Sequence, residues 1–211
     1  MFNRLKAVVA YFLAAFPRVL TRTEIVKLVY LFEYYYHELY GKPFFGIQFI
    51  RYHYGPYCKD VVTVLGQLEE EGLISIIQEP HFYGEGVTFW HKWQGTNPPQ
   101  LDPSLQRIAL FVVHQTCRLE LESIKKLVYE TPPMRKLLRM EEERGCKLDG
   151  EVIDMREREE AGRKIPISRL KAAFKSINRE HRGTDEEYRK TILQEFESLR
   201  VFRERAERCE I

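Results

Sequence analysis

The sequence predicts a mainly α-helical fold with a small β-hairpin, continued by a C-terminal helical arm. Apolar side chains recur at helical spacing along most of the chain, and one pair of short β-like segments flanks a glycine-containing loop. Aromatic side chains are concentrated at one end, with 21 in residues 1–98 and six in residues 99–211, whereas most charged residues lie in the second half. We therefore expect a helical domain with the hairpin in residues 1–144 and a charged helical extension in residues 145–211.

The overall composition is that of a globular protein. The 211 residues are 44% hydrophobic and 30% charged with a net charge of +2, which excludes collagen-like and low-complexity chains. No segment reaches the roughly 18 apolar residues of a transmembrane helix, and the N-terminus lacks the apolar run of a signal peptide. The four cysteines are widely spaced, which is typical of free thiols in a reducing compartment. We expect a cytoplasmic protein.

The first two helices are predicted by their apolar spacing and their end signals. A helix containing Leu5 and Phe16 ends at Pro17. Thr21 and Glu24 then have the spacing of a capping box, and the helix they begin is apolar over most of its circumference, as expected in the middle of a fold. Gly41 is predicted to end this second helix.

The next segments have the order of a winged-helix unit. Residues 47–53 are predicted to be extended, and residues 54–57 to form a sharp turn. A helix within residues 57–72 follows, and two strands at 73–77 and 87–93 are joined by a glycine-containing loop. The apolar face of that helix is predicted to comprise Val61, Val62, Leu65 and Leu68.

The remaining segments are predicted to be helical, apart from one charged connection. Asp102 and Pro103 begin a helix that runs through Gln115. Further helices are expected at 120–130, 133–144, 167–181 and from Thr184 to the C-terminus. The charged residues 145–165 are expected to form a loop or a short hairpin around Asp149 and Gly150. The narrow apolar stripe of the last helix suits packing against a partner.

No catalytic motif is found, so we predict neither an enzyme nor a cofactor. The phosphate-binding, metalloprotease and serine-hydrolase patterns are absent, and the histidines are scattered singly. His81 and His91 could face each other across the hairpin and bind a metal, but ordinary surface pairing is the simpler interpretation, and no metal site is predicted.

Two binding functions remain open, contact with a protein and contact with DNA. A winged helix would read DNA with the helix at 57–72, but Lys59 stands there against Asp60 and the acidic run 69–71, so phosphates would repel it. A DNA-binding regulator could instead contact phosphates through a run of basic residues. The alternative interpretation of this run is the solvated face of a helix. Its members are Arg163, Lys164, Arg169, Lys171 and Lys175.

Protein contact would use aromatic side chains, which are enriched at interface hot spots. The candidates in the first half also have a structural interpretation. Those near Tyr34 could pack in the core, and those around Gly55 and Pro56 could serve to form a turn. The candidate partner-binding residues are Tyr34, Tyr40, Phe44, Tyr54, Tyr57, Tyr188, Phe196 and Phe202.

Several of these segments resemble the Panacea (SocA-like) antitoxin family. The residues that carry the resemblance are Lys27-Leu28-Val29-Tyr30, Gly41-Lys42-Pro43-Phe44 and Tyr54-Gly55-Pro56-Tyr57, in that order, and the later segment Ile124–Pro133. The resemblance covers about residues 5–140, and the Y-G-P turn is its most specific part.

The resemblance implies a mostly helical domain with a small hairpin, without a catalytic centre. It implies a role in a bacterial or phage toxin–antitoxin system, in which the protein neutralises a toxin encoded beside it or, as for some members, delivers the toxin to a protease. The expected partners are thus a cognate toxin and, in the second case, a protease or a chaperone. In this family toxin specificity tends to lie outside the shared domain, which would place it in residues 163–211.

Overall fold

Helix α2 (Arg22–Tyr40) lies at the centre of the helical layer. Its side chains from Glu24 to Glu33 are all buried, as its nearly continuous apolar surface predicts. The computed structural model describes residues 2–80 and 87–157, together with Lys190, Gln194 and Glu197. Contacts divide the chain into two units, Met1–Glu160 and Ala161–Ile211. Of the second unit, only those last three residues are described, each helical and exposed.

Five more helices are described in the first unit. They are α1 (Phe2–Ala15), α3 (Lys59–Glu70), α4 (Pro103–Thr116), α5 (Leu121–Tyr129) and α6 (Pro132–Arg144). Helix α2 contacts α1, α3, α4 and α5. Its capping box is formed as predicted: the Glu24 amide donates to the Thr21 hydroxyl, and the Thr21 amide donates to the Glu24 carboxylate. Gly41 ends the helix in the left-handed conformation, also as predicted.

The strands form two small antiparallel sheets. The first has the order β1 (Leu20–Thr21), β5 (Val87–Trp93), β4 (Ile74–Pro80), and pairs Leu20 with His91 and Ile74 with Trp93. The second is a hairpin of β2 (Ile50–Tyr52) and β3 (Gly55–Tyr57). Helices therefore predominate, with a small antiparallel sheet beside them. The predicted order of helix, helix and hairpin is present, and the winged-helix interpretation stays a prediction.

The structure corrects two local predictions and, for residues 145–157, favours the predicted loop over the predicted hairpin. Residues 54–57 are more than a turn, because Gly55–Tyr57 pairs with Ile50–Tyr52 as a strand. Helix α3 buries Val64, whereas Val62 is only half-buried, because the face toward the core is rotated from the one that the spacing suggested. Residues 145–157 form no hairpin of their own, since Val152 bridges to Ile50.

Residues 145–157, placed by the sequence in the C-terminal extension, pack against the first unit. The Arg51 amide donates to the Glu151 carbonyl, and the Gly150 amide donates to the Arg51 carbonyl. Ile153 belongs to the hydrophobic core. The predicted helices at 167–181 and beyond Thr184 lie outside the described residues apart from the three helical positions already named.

Candidate functional site

A pocket of about 540 Å³ opens beside the β2–β3 hairpin. It lies between the first turns of α2, the hairpin, the beginning of β5 and the beginning of α5. We call it the hairpin pocket, and its lining is Thr21, Arg22, Thr23, Val26, Lys27, Tyr52, Tyr54, Gly55, Pro56, Tyr57, Val87, Thr88, Phe89, Leu121 and Lys125. It brings together Tyr54 and Tyr57 of the predicted partner-binding residues.

The Y-G-P segment forms one wall of the pocket, and its glycine is required by the backbone. Gly55 has a φ of +93°, in the left-handed region that side chains rarely adopt. A Cβ at this position would lie 3.2 Å from the Tyr129 hydroxyl and 3.4 Å from the Lys27 ammonium. Gly55 therefore permits both the turn and the close approach of α2 and α5 to the hairpin.

Lys27 is a buried basic side chain in the pocket lining. Its Nζ donates to the Pro56 carbonyl at 2.6 Å. Burial, together with the positive charges of Lys125 and Arg51, lowers the pKa of Lys27 to about 7. A buried lysine whose pKa lies near neutral pH can gain or lose its proton when a ligand binds beside it.

The aromatic side chains of the pocket are accessible at its rim. Tyr54 is 63% exposed and Tyr52 is 44% exposed. The rings of Tyr52 and Tyr57 lie 5.4 Å apart between centroids. Cations pack on two of the rings: the Lys125 Nζ lies 4.8 Å from the centroid of Tyr54, and the Arg22 guanidinium lies 4.6 Å from that of Phe89.

The described lining of the pocket carries positive charge without a carboxylate. Its ionisable cations are Arg22, Lys27 and Lys125. The exposed Glu122 pairs with Lys125 at 2.6 Å, from outside that lining. Glu24, although close in sequence, is engaged with Arg18 at 2.7 Å and with Thr21. The described lining is therefore suited to an anionic group.

A second aromatic cluster forms around the C-terminal end of α2. The Tyr36 ring lies 4.5 Å from that of Tyr40 and 4.8 Å from that of Phe44. Phe44 is half-buried and also contacts Phe32, whereas Tyr40 is 47% exposed. Of the predicted partner-binding residues, Tyr40 and Phe44 are thus together here, with only Tyr40 largely accessible.

Glu33 fixes the loop that carries this second cluster. Its carboxylate accepts hydrogen bonds from the amides of Phe44 at 3.0 Å and Phe45 at 3.2 Å. Burial raises the pKa of Glu33 to about 7, although these two hydrogen bonds act in the opposite direction.

Tyr34 belongs to a third aromatic group, on the side of α4. It is half-buried and lies 5.2 Å from Tyr35, whose ring meets Phe111 at 5.0 Å. Phe111 and its neighbour Leu110 are exposed apolar side chains that were not among the predicted site residues. Their exposure was not recognisable from the sequence, since Phe111 fits the helical stripe of α4.

The remaining candidates are placed as follows. Tyr188, Phe196 and Phe202 and the basic residues Arg163, Lys164, Arg169, Lys171 and Lys175 lie outside the described residues. His81 does too, whereas His91 is buried with its Nδ1 at 3.3 Å from the Leu20 carbonyl. Within the described part of the chain, no group of three or more His, Cys, Asp and Glu side chains is arranged to hold a metal ion.

Sequence reasoning missed the cations of the hairpin pocket. Lys27 had a signal, because it interrupts the apolar surface of α2, where a charge is unexpected unless it is bound or functional. Arg22 and Lys125 had none, because their approach to the pocket depends on how α2 and α5 pack.

Comparison with known proteins identifies one family. A family model described as "Antitoxin SocA-like, Panacea domain" matches residues 25–132. No curated protein and no solved structure matched the chain. The matched range includes Lys27, the Y-G-P segment and Lys125, and thus most of the hairpin pocket. In the described residues, no helix has the length and apolarity needed to cross a membrane.

Proposed function

Because the chain belongs to the SocA-like Panacea antitoxin family, we propose that it binds a cognate toxin and neutralises it by direct protein contact. The family match over residues 25–132 is the observation that carries this proposal. The toxin is expected to be encoded beside this protein, and the encounter to take place in the cytoplasm. The proposed activity is binding, and no enzymatic step is assigned to the chain.

The exposed aromatic side chains support a role in protein contact. Tyr54 and Tyr52 at the hairpin and Tyr40 at the end of α2 offer large amphipathic rings at two places on the first unit. Tyrosine is enriched at interface hot spots because it buries a large area at a small cost in side-chain entropy. We therefore propose these rings as contacts for the toxin.

Residues 163–211 are proposed to determine which toxin is bound. Tyr188, Phe196 and Phe202 lie at helical spacing on the last predicted helix and would supply its apolar contact face. The surrounding charges would then discriminate between partners by complementarity at the rim.

Co-expression with the product of the adjacent gene tests the proposal. We expect growth rescue and a complex that copurifies, with Tyr54→Ala and Tyr40→Ala each tested for weaker rescue. Val152→Ala is the matched control, because Val152 is also an exposed large apolar side chain but lies outside both aromatic groups. No complex and no rescue with the wild-type chain would reject toxin binding.

Delivery of the toxin to a protease is a second form of the same proposal. It predicts that the toxin is degraded faster in cells that contain this protein, whereas simple neutralisation by masking predicts an unchanged or longer toxin lifetime. A chase experiment after translation is stopped, with and without this protein, separates the two.

A DNA-binding regulator is the alternative function, favoured by the order of helix, helix and hairpin. The described residues of α3 oppose it, because Asp60, Glu69 and Glu70 would approach the phosphates. Gel shifts with the upstream DNA over a range of salt decide between them. Binding that weakens steeply with salt and requires the run from Arg163 to Lys175 would favour this alternative.

A further inference from the structure

We propose that the hairpin pocket binds a small molecule that joins a phosphate group to an aromatic ring. The proposal depends on the side chains that meet in the pocket and is independent of the proposed binding of a toxin. Its volume of about 540 Å³ lies within the roughly 300–1,000 Å³ that small-ligand sites occupy.

Three basic side chains with different surroundings supply the phosphate subsite. Arg22 is exposed at the first turn of α2, and in the described part of the chain no carboxylate forms an ion pair with it. Lys125 on α5 and the buried Lys27 on α2 belong to the same lining. Arginine and lysine donors of this kind bind phosphate oxygens by charge-assisted hydrogen bonds.

The number of cations favours a phosphate monoester over a carboxylate. A carboxylate carries one negative charge, whereas a phosphate monoester carries about −1.5 to −2 near neutral pH. Of the three basic side chains, only Lys125 has an acidic partner in the described residues, and that partner, Glu122, is exposed. A dianion therefore compensates the charges of Arg22 and Lys125 more fully than a single carboxylate, and it also favours the protonated form of Lys27.

The aromatic rim supplies the second half of the ligand site. Tyr52, Tyr54 and Tyr57 lie on the hairpin, and Phe89 lies on β5. Each of these rings can stack on a planar group such as a nucleobase, and such stacking favours binding. Rings and cations thus occur in one pocket in the combination that recognises a phosphorylated aromatic compound.

Lys27 links occupancy of the pocket to a proton. A phosphate group beside its ammonium favours the charged form, so binding should raise the lowered pKa of Lys27 and take up a proton above pH 7. The charged groups that act on Lys27 are Lys125 and Arg51, and both favour its neutral amine until an anion binds. The Tyr129 hydroxyl and the Lys27 Nζ both approach Gly55.

Titration of the purified full-length chain tests the proposal with AMP, UMP and phenyl phosphate as probes. We expect saturable binding of at least one probe with a dissociation constant of about 1 mM or below. Adenosine and inorganic phosphate, which each lack half of the proposed ligand, should bind at least about tenfold more weakly than AMP. Isothermal calorimetry or amide chemical shifts report the binding without any toxin, so the result is independent of the proposed function.

Matched variants locate the binding. Arg22→Gln and Lys125→Gln should each weaken probe binding by about threefold to tenfold, and Lys27→Met by more. Arg107→Gln and Lys42→Gln are the controls, because both side chains are exposed and neither lines the pocket. At pH 8, where the phosphate is already a dianion, calorimetry in buffers of different ionisation enthalpy should show proton uptake that Lys27→Met abolishes.

Two results would overturn the proposal. One is no saturable binding of any of the three probes to the folded wild-type chain. The other is binding that Arg22→Gln and Lys125→Gln weaken no more than the two controls do. Because Arg22 is exposed and the ion pair of Lys125 is with the exposed Glu122, these variants are expected to fold, so a failed Lys27→Met variant leaves the test intact.

Discussion

Two buried ionisable side chains on α2 make the stability of the protein depend on pH in opposite directions. Burial raises the pKa of Glu33 to about 7 and lowers that of Lys27 to about 7. In each case the folded protein disfavours the charged form relative to the unfolded chain. Each side chain also forms hydrogen bonds with backbone groups: Lys27 donates to a carbonyl of the hairpin, and Glu33 accepts from two amides of the loop after α2.

From these two groups we predict a minimum of stability near pH 7. The stabilising contribution of Glu33 is fully present below its unfolded pKa of about 4.5 and is lost as the pH rises through about 7. Lys27 acts oppositely, because the unfolded chain binds the extra proton between about pH 7 and 10.5, so stability rises over that range. Each slope is at most about 1.4 kcal/mol per pH unit and is measurable by denaturant unfolding.

Single substitutions assign the two limbs of that profile. Glu33→Gln should flatten the fall below pH 7, and Lys27→Met should flatten the rise above it. Glu70→Gln serves as the control, since Glu70 is exposed at the end of α3. A profile in which both limbs persist in the double variant would contradict the assignment.

Gly55 permits a second prediction at the level of one residue. Gly55→Ala should destabilise the protein by about 2–4 kcal/mol, which combines the strain of left-handed backbone with the contact of the new Cβ on Tyr129. Gly150→Ala is matched in backbone, with a φ of +91°, but has no atom near its Cβ, and should lose only about 1–2 kcal/mol. Equal losses in urea unfolding would show that the close approach at Gly55 contributes nothing.

At the level of elements, the helices were predictable because their signals are local. Thr21 with Glu24, Asp102 with Pro103, and Gly41 each mark a helix end within a few residues of sequence, and the structure has helices ending or beginning there. The register of short strands is not local. Strand β1 is two residues long and exists only because β5 lies beside it, so nothing in Leu20 and Thr21 announces it.

The same reasoning explains which part of the site was predicted. Tyr54 and Tyr57 were identified because the Y-G-P segment is recognisable in sequence. The pocket itself requires α2, α5 and β5 to converge on that segment, which depends on tertiary packing of residues about 100 positions apart, as in the hydrogen bond between Tyr30 and Thr131. Lys27 could have been suspected, because a lysine in a buried helix requires a reason.

An ion pair between Arg51 and Glu141 links the β2–β3 hairpin to α6. We predict that it stabilises the hairpin. Arg51 and Glu141 are largely buried, with the Arg51 Nε 2.9 Å from a carboxylate oxygen of Glu141, which also accepts the Leu148 amide. Glu141→Ala should cost about 3–5 kcal/mol, because it leaves the guanidinium of Arg51 buried without its counter-charge. Glu142→Ala, the exposed neighbour on α6, should cost less than about 0.5 kcal/mol in the same unfolding assay. Similar losses for both would mean that the pair does not support the hairpin.

At the scale of the whole molecule, the described core extends only part of the way into the charge-rich second half of the chain. Every member of the described hydrophobic core lies between Leu5 and Ile153, and thus within the first unit, Met1–Glu160. The near-zero net charge of the chain conceals an aromatic-rich first half and a charge-rich second half. If residues 163–211 choose the toxin, as proposed, shortening the chain separates partner choice from the stability of the first unit.

Removal of residues 184–211 is expected to leave the first unit intact and to weaken binding of the toxin. The described core contains no residue beyond Ile153. The melting temperature of the shortened chain should therefore stay within a few degrees of that of the full chain. Its circular dichroism, corrected for the helical residues removed, should agree within a few per cent. Affinity for the toxin should fall at least about tenfold, because Tyr188, Phe196 and Phe202 are removed. The matched control replaces Lys190, Gln194 and Glu197, which are exposed, with alanine, and should retain most of the affinity. If the shortened chain neutralises the toxin as well as the full chain does, toxin recognition belongs to the aromatic surfaces of the first unit instead.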